Sequence, residues 1–229
     1  LHKRGVREKI GVAPLRATIA AALVLMVAAH APSTDRVEVV DPMMGSGMFL
    51  LEAASLFASV SAREFAFETF AVKSVTAPPT VAKFEVTRLI GFERDEKTFQ
   101  AAQENLKTDK SKLEIHLYNQ DVFTAESAPP PAVKRWLFAN PPYGQRLKVK
   151  EPLAEFYARL FATCEGLMKP DLACFLLPSD AVKGKFRLPL GWKVVEKRPF
   201  LNGGIPVVAF LFDCQVARDI SPGRGPKVS

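Results

Sequence analysis

The chain has 229 residues, 48% hydrophobic and 24% charged, which suits one large globular domain or two small ones and excludes a disordered or fibrous protein. With 31 Lys and Arg against 24 Asp and Glu, the formal charge of +7 points to a polyanionic partner or an anionic surface without choosing between them. Cys164, Cys174 and Cys214 form no C-x-x-C pair and His2, His30 and His116 show no metalloprotease spacing, so disulfide, zinc-knot and metallohydrolase readings are disfavoured, no metal is expected, and a reducing cytoplasm fits best.

Lys3, Arg4, Arg7, Lys9 and Arg16 precede an apolar run over 19–29 that ends in Ala29-His30-Ala31, an order that imitates a secretory leader. Glu8 and Pro14 interrupt the basic stretch and the run is half alanine, which better matches a core helix opening at Pro14 and stopping before Pro32. At about 15 residues such a helix is too short for a bilayer, which needs about 20, so no membrane segment is expected. A β-branched strand over 37–40 feeds Asp41-Pro42-Met43-Met44-Gly45-Ser46-Gly47 and then a helix over 48–60. A short helix is expected over 62–70, and Thr76-Ala77-Pro78-Pro79-Thr80 breaks the chain, so 55–85 reads as an insertion. Strand 87–92, helix 95–107, strand 114–118, a proline-rich loop over 125–132 and strand 136–139 follow, the last ending at Asn140-Pro141-Pro142-Tyr143. Helix 152–168, strand 173–177 and two late strands over 194–197 and 207–212 complete the pass, before a polar, loose tail. The alternation predicts an α/β doubly wound, mostly parallel sheet with its ligand crevice at the carboxyl ends of the strands, and an antiparallel hairpin at one edge.

Gly45-Ser46-Gly47 sits between a strand and a helix, where missing side chains let a ligand reach the backbone and helix N–H groups point outward. The third glycine of a dinucleotide fingerprint would fall at Leu50, which disfavours a nicotinamide or flavin enzyme; a plain tight turn remains the alternative. Asp41, at the strand end, either braces this loop through its amides or is an ordinary turn residue. Glu93, at the tip of the next strand, is placed to accept hydrogen bonds from both hydroxyls of a ribose. It stands 48 residues beyond Gly45, so the inserted stretch has to loop out. Asp95 suits a helix cap. Asp121 would reach an exocyclic amine at the far end of the crevice, or simply cap its own loop.

The sharpest signal is Asn140-Pro141-Pro142-Tyr143. Two prolines make a rigid turn, so the Asn140 side-chain oxygen and the Pro141 carbonyl can accept both hydrogens of a planar amino group and turn its nitrogen lone pair toward an electrophile. As a methyl group transfers, positive charge grows on that nitrogen, and preplaced acceptors stabilise it without reorganising. Tyr143 can stack on a base swung out of its helix or loop.

With these residues in view, the sequence resembles the catalytic domain of class I S-adenosylmethionine-dependent methyltransferases of the large-subunit ribosomal RNA guanine-N2 type, a group often joined to a THUMP RNA-binding domain and frequently labelled as adenine-specific DNA methylases. The resemblance covers most of the chain: Leu1-His2-Lys3-Arg4-Gly5 with Ala13-Pro14-Leu15-Arg16 as opening segment, Asp41-Pro42 through Gly45-Ser46-Gly47, Glu52-Ala53-Ala54, Phe65-Ala66-Phe67-Glu68, Asn140-Pro141-Pro142-Tyr143-Gly144 with Arg146, and Asn202-Gly203 as a late marker. It implies a Rossmann-like, seven-stranded fold, with an opening segment and helix over 1–32, the catalytic domain over 33–217 and a loose tail over 218–229. It also implies S-adenosylmethionine on Asp41, Pro42, Gly45, Ser46 and Gly47, its ribose on Glu93, its adenine near Asp121, and the target amine at Asn140. The family insertion accounts for the long gap to Glu93. Val6, Met44 and Met48 stand where the family usually has tyrosine, cysteine and threonine.

The expected partner is RNA, large-subunit ribosomal RNA above all, with a THUMP-like targeting domain either removed from this sequence or never joined to it. Arg146, Lys148 and Lys150, together with Lys183, Lys185, Arg187, Lys193, Lys197 and Arg198, would contact phosphates around a flipped nucleotide, or form solvated charged faces. Adenine N6 methylation of RNA or DNA, glutamine N5 methylation of a protein, and an inactive RNA- or cofactor-binding module stay open, because each planar amine presents the same group to the turn.

Overall fold

The computed structural model describes residues 15–31, 36–57, 84–107, 113–144, 151–179 and 187–215. Its elements are α1 (Ala17–His30), β1 (Arg36–Asp41), α2 (Met48–Phe57), β2 (Glu85–Phe92), α3 (Glu96–Leu106), β3 (Glu114–Tyr118), β4 (Lys134–Ala139), α4 (Leu153–Thr163), β5 (Leu172–Pro178), β6 (Lys193–Asn202) and β7 (Ile205–Asp213). The expected helix over 62–70 lies outside the described residues, as do most of the opening segment, the insertion and the tail.

The seven strands form one sheet in the order β3-β2-β1-β4-β5-β7-β6. The first five of these neighbours run parallel, and β7 is antiparallel to both β5 and β6. This is the doubly wound sheet with a terminal antiparallel hairpin that the strand–helix alternation predicts. Chain order reverses between β1 and β4, which opens a crevice at their carboxyl ends.

The central strands are buried on both faces, hence their nearly continuous apolar runs. Helices α1, α2 and α3 pack on one face, through Leu23, Val27, Phe49, Leu50, Phe99 and Ala102 among others. On the other face α4 contributes Phe156, Tyr157, Leu160 and Phe161, which close over Val40, Leu137 and Phe175. Full burial of a side chain such as Phe49 or Phe161 contributes about 1.5–3 kcal/mol.

In α1 the buried positions Ala20, Leu23, Val24 and Val27 repeat at helical spacing, and the helix packs against α2 and β5 as a core element. Asp95 caps α3 by accepting from the Thr98 amide at 2.8 Å. The helix expected over 152–168 divides: α4 ends at Thr163 and Cys164–Met168 widen into a π-helical turn closed by left-handed Lys169, whose N–H reaches Cys164 O at 3.1 Å. The last two strands run longer than their apolar cores because Gly203 and Gly204, at φ 59° and 84°, make the two-residue turn that joins a tight hairpin. No helix among the described residues is long and apolar enough to cross a membrane.

Candidate active site

The loop after β1 is held from several elements. Asp41 Oδ1 accepts from the Met43 amide at 3.0 Å, and the Met44 amide donates to Phe92 O at 2.9 Å, tying the loop to the end of β2. The Gly45 amide donates to Glu93 Oε2 at 3.1 Å, and Asn105, buried on α3, donates through Nδ2 to Ser46 O at 3.1 Å. Gly45 lies at φ +55°, and a Cβ built on it meets nothing within 4 Å. That backbone therefore faces open space at the mouth of the crevice. Beneath the loop Gly91 leaves room for Met44, since a Cβ there would lie 2.3 Å from Met44 Sδ. The thioether thus occupies space that the missing side chain of Gly91 vacates.

Two acidic residues converge on this loop. Burial pushes the Asp41 carboxyl up to about 8; the Met43 amide opposes this and the nearby Glu93 charge adds to it. Glu93 spans the loop and the start of α3, because its Oε1 accepts from the Asp95 amide at 2.8 Å. The structure thus brings Asp41, Gly45 and Glu93 together, with Ser46 and Pro42 buried beside them. Asp121 caps its own loop next to the Glu93 segment: its Oδ1 accepts from the Phe123 amide at 3.0 Å, its Oδ2 lies 3.3 Å from Arg94 Nη1, and Asn119 of the same loop donates to Glu93 O at 2.9 Å.

One strand over, Asn140-Pro141-Pro142-Tyr143 follows β4, whose Leu137 pairs with Val40 of β1. The turn is clamped from two sides. Tyr157 of α4, buried, donates to Pro142 O at 2.9 Å, and burial raises its hydroxyl well above the ordinary tyrosine range. The half-buried Tyr143 turns its hydroxyl onto Asn140 Oδ1 at 2.5 Å and receives Asn202 Nδ2 at 3.1 Å. The sequence expectation for Tyr143 is that its ring stacks on a base; its hydroxyl bonds Asn140 within the turn and Asn202 of β6. Arg146 and Lys148 lie outside the described residues, with Lys150, Lys183 and Lys185. Arg187, Lys193, Lys197 and Arg198 are exposed; Arg198 pairs with Glu196, and Lys197 lies over the Phe210 ring.

Sequence reasoning passed over Asn105 and Tyr157. Their signal is a polar atom on an apolar helical stripe, Asn105 beside Phe99, Ala102 and Leu106, and Tyr157 beside Phe156 and Leu160. Among the described residues no group of three His, Cys, Asp or Glu could hold a metal ion. The Glu93 carboxylate beside an open glycine backbone, with the Asp41 carboxyl buried behind it, fits a ligand that carries hydroxyl donors.

The profile of a family described as RMKL-like, methyltransferase domain (UPF0020) matches residues 4–201. The chain belongs to this family. Two similar proteins are named ribosomal RNA large subunit methyltransferase K/L. That of Photobacterium profundum is 34% identical over 176 residues, covering 70% of this chain and 24% of that protein. That of Methylococcus capsulatus is 26% identical over 242 residues, covering 98% and 31%. Synechocystis slr0064, provisionally named an RNA methyltransferase, is 27% identical over 225 residues, covering 93% of this chain and 56% of its own. This RMKL-like domain therefore spans about half or less of the curated relatives it matches. Among solved structures, a Clostridium difficile 630 protein described as a possible methylase superposes with a TM-score of 0.63 at 26% identity, covering 100% of this chain and 57% of that one. SMU.472, crystallised in complex with SAH, shares the fold at a TM-score of 0.63 and 23% identity, covering 92% and 55%.

Proposed function

We propose that this methyltransferase domain transfers a methyl group from S-adenosylmethionine to an exocyclic amine of an RNA base, guanine N2 of large-subunit ribosomal RNA being the target, and that it works in the cytoplasm. The observation that carries the reading is the Asn140-Pro141-Pro142-Tyr143 turn, rigidly clamped one strand away from an open glycine loop braced by Asp41 and Glu93. The names of the K/L relatives support the RNA and the target class.

The cofactor supplies an electrophilic methyl group on a positively charged sulfur. Gly45 and Gly47 keep the loop bare of side chains. Glu93 retains acceptor capacity beyond its two amide bonds, which suits ribose hydroxyls, and Asp121 with its loop flanks the far end. Asn140 Oδ1 carries two lone pairs, one taken by the Tyr143 hydroxyl and one left for the target amine. The Pro141 carbonyl provides the second acceptor, so both stabilise charge growing on the nitrogen. Tyr143 and the cations Arg146 and Lys148 would hold the flipped base and its phosphates. A THUMP-like domain elsewhere in the protein would supply targeting.

The test is transfer of labelled methyl from S-adenosylmethionine to unmodified ribosomal RNA, transfer RNA, DNA and release factor in parallel, with nucleoside analysis of the product. N2-methylguanosine from ribosomal RNA is expected, abolished by Asn140→Ala with cofactor affinity nearly unchanged. Label in DNA or release factor alone would overturn the substrate class, and equal loss of transfer and cofactor binding would overturn the role of Asn140.

A further inference from the structure

The middle of the Asn140 turn cannot be held by its own amides. Pro141 and Pro142 carry no N–H, so the backbone there can be gripped only through its carbonyls. One of these carbonyls is gripped from α4. Tyr157, fully buried and packed edge-on against Phe156 at 5.5 Å, donates to Pro142 O at 2.9 Å. Chemistry fixes the direction of this bond, since a carbonyl only accepts and a phenol has one proton. The phenol itself is placed by its element: Phe156, Tyr157, Leu160 and Phe161 form the stripe by which α4 lies on the sheet, over Val40, Leu137 and Phe175.

A buried tyrosine hydroxyl ordinarily finds some partner; what gives this one a further role is the partner's place in the chain. Between the Pro141 and Pro142 carbonyls lie two torsions. The first, φ of Pro142, is locked at about −65° by the ring, which leaves ψ of Pro142 as the one free rotation between them. With the chain held by β4 on one side and Pro142 O held by α4 on the other, that rotation is fixed, and the same bond aims the Pro141 carbonyl. We propose that Tyr157 is a positioning residue for methyl transfer: by gripping the Pro142 carbonyl from α4 it sets the direction of the Pro141 carbonyl, and with it the geometry of the two acceptors, Asn140 Oδ1 and Pro141 O, that receive the target amine. The inference rests on the reading of these atoms as amine acceptors given above.

Tyr157→Phe removes the hydroxyl and keeps the ring. The first readout needs no substrate. Pro142-Tyr143 is the one Pro–Tyr junction in the sequence, so protein labelled with carbonyl-¹³C proline and ¹⁵N tyrosine gives a single carbonyl–amide correlation, which reports the Pro142 carbonyl. Loss of the bond is expected to shift this carbonyl upfield in Tyr157→Phe; an unchanged resonance would overturn the proposal.

The second readout is transfer from S-adenosylmethionine to unmodified ribosomal RNA. Tyr157→Phe is expected to lower kcat by about tenfold or more, while KM for the cofactor and affinity for S-adenosylhomocysteine stay at their wild-type values, because other residues brace the cofactor loop. An unchanged kcat beside a shifted carbonyl would show that the bond serves packing alone, and equal loss of kcat and S-adenosylhomocysteine affinity would show a general loosening of the crevice; either would overturn the proposal. Wild-type protein that transfers no methyl, beside a carbonyl that shifts as expected, would overturn the methyl-transfer reading and this role with it, while supporting the grip of α4 on the turn.

Discussion

Glu38 and Asp41 lie three residues apart on β1, and both are buried, at 0% and 2% exposure. Glu38 is surrounded by cations. Arg135, itself fully buried, approaches its Oε1 at 2.8 Å, and Arg88 reaches Oε2 at 3.2 Å. Arg135 also donates to Met168 O at 2.6 Å and Pro129 O at 2.7 Å, so one guanidinium ties β1 and β4 to the π-helical turn and the proline-rich loop. Asp41 has no such partner among the described residues. It braces the Met43 amide, faces another carboxylate, and has a proton affinity raised to about 8. One strand thus carries a buried carboxylate completed by its own fold and a second buried acid that, with no cation beside it among the described residues, holds its proton up to about pH 8 at the crevice. An uncompensated buried group is tolerated at a functional end of a sheet, where a ligand can supply what the fold omits.

The largest expected effect is at the completed end. Arg135→Met leaves Glu38 with Arg88 as its remaining cation and removes the partner of the buried Met168 carbonyl and of the partly buried Pro129 carbonyl, a combination that destabilises by about 3–5 kcal/mol. Urea unfolding measures it. A loss below about 1 kcal/mol would mean that Arg88 neutralises Glu38 unaided, and the contrast with Asp41 would shrink.

At the other end the sign reverses. The folded-state pKa of Asp41, about 8, lies above its ordinary value of 3.8, so the native protein binds more protons than the unfolded chain between these limits and stability falls as pH rises through that window. Asp41→Asn keeps an oxygen for the Met43 amide and removes the charge. The variant should lose this slope and exceed the wild type by roughly 2 kcal/mol or more at pH 8, with the difference vanishing below pH 4. Parallel slopes for the two proteins would show that Asp41 is charged and compensated, which would break the comparison.

Much of the crevice was legible because its determinants are local. A β-branched strand, a glycine loop and a helix are consecutive in the chain, Asp95 announces the start of α3, and two adjacent prolines announce the Asn140 turn. The contacts that brace these pieces were not legible. Glu93 meets Gly45 across 48 residues only because β2 pairs in register with β1, Asp41 beside Gly91. Arg135 reaches Glu38 across 97 residues and Asn202 reaches Tyr143 across 59, distances at which composition and spacing carry no pairing information. The π-helical turn escaped for a different reason: its sequence continues the apolar pattern of α4, and what marks it as a separate element, the Lys169 bond to Cys164 O and the Met168 carbonyl on Arg135, is visible only in the fold.

The smallest effect on stability, and the sharpest on the crevice, belongs to Gly45→Ala. At φ +55° an alanine is strained by about 1–2 kcal/mol. Its Cβ would touch no protein atom within 4 Å, and the Glu93 bond to the backbone amide would survive. If the open space belongs to a ligand, affinity for S-adenosylhomocysteine should fall by about tenfold or more, a loss that steric exclusion rather than global unfolding would cause. Calorimetric titration beside urea unfolding separates the two quantities. A variant that loses its stability increment yet binds normally would place the ligand away from Gly45. The raised proton affinity of Asp41 would then need an explanation within the fold, as the charge of Glu38 already has in Arg135.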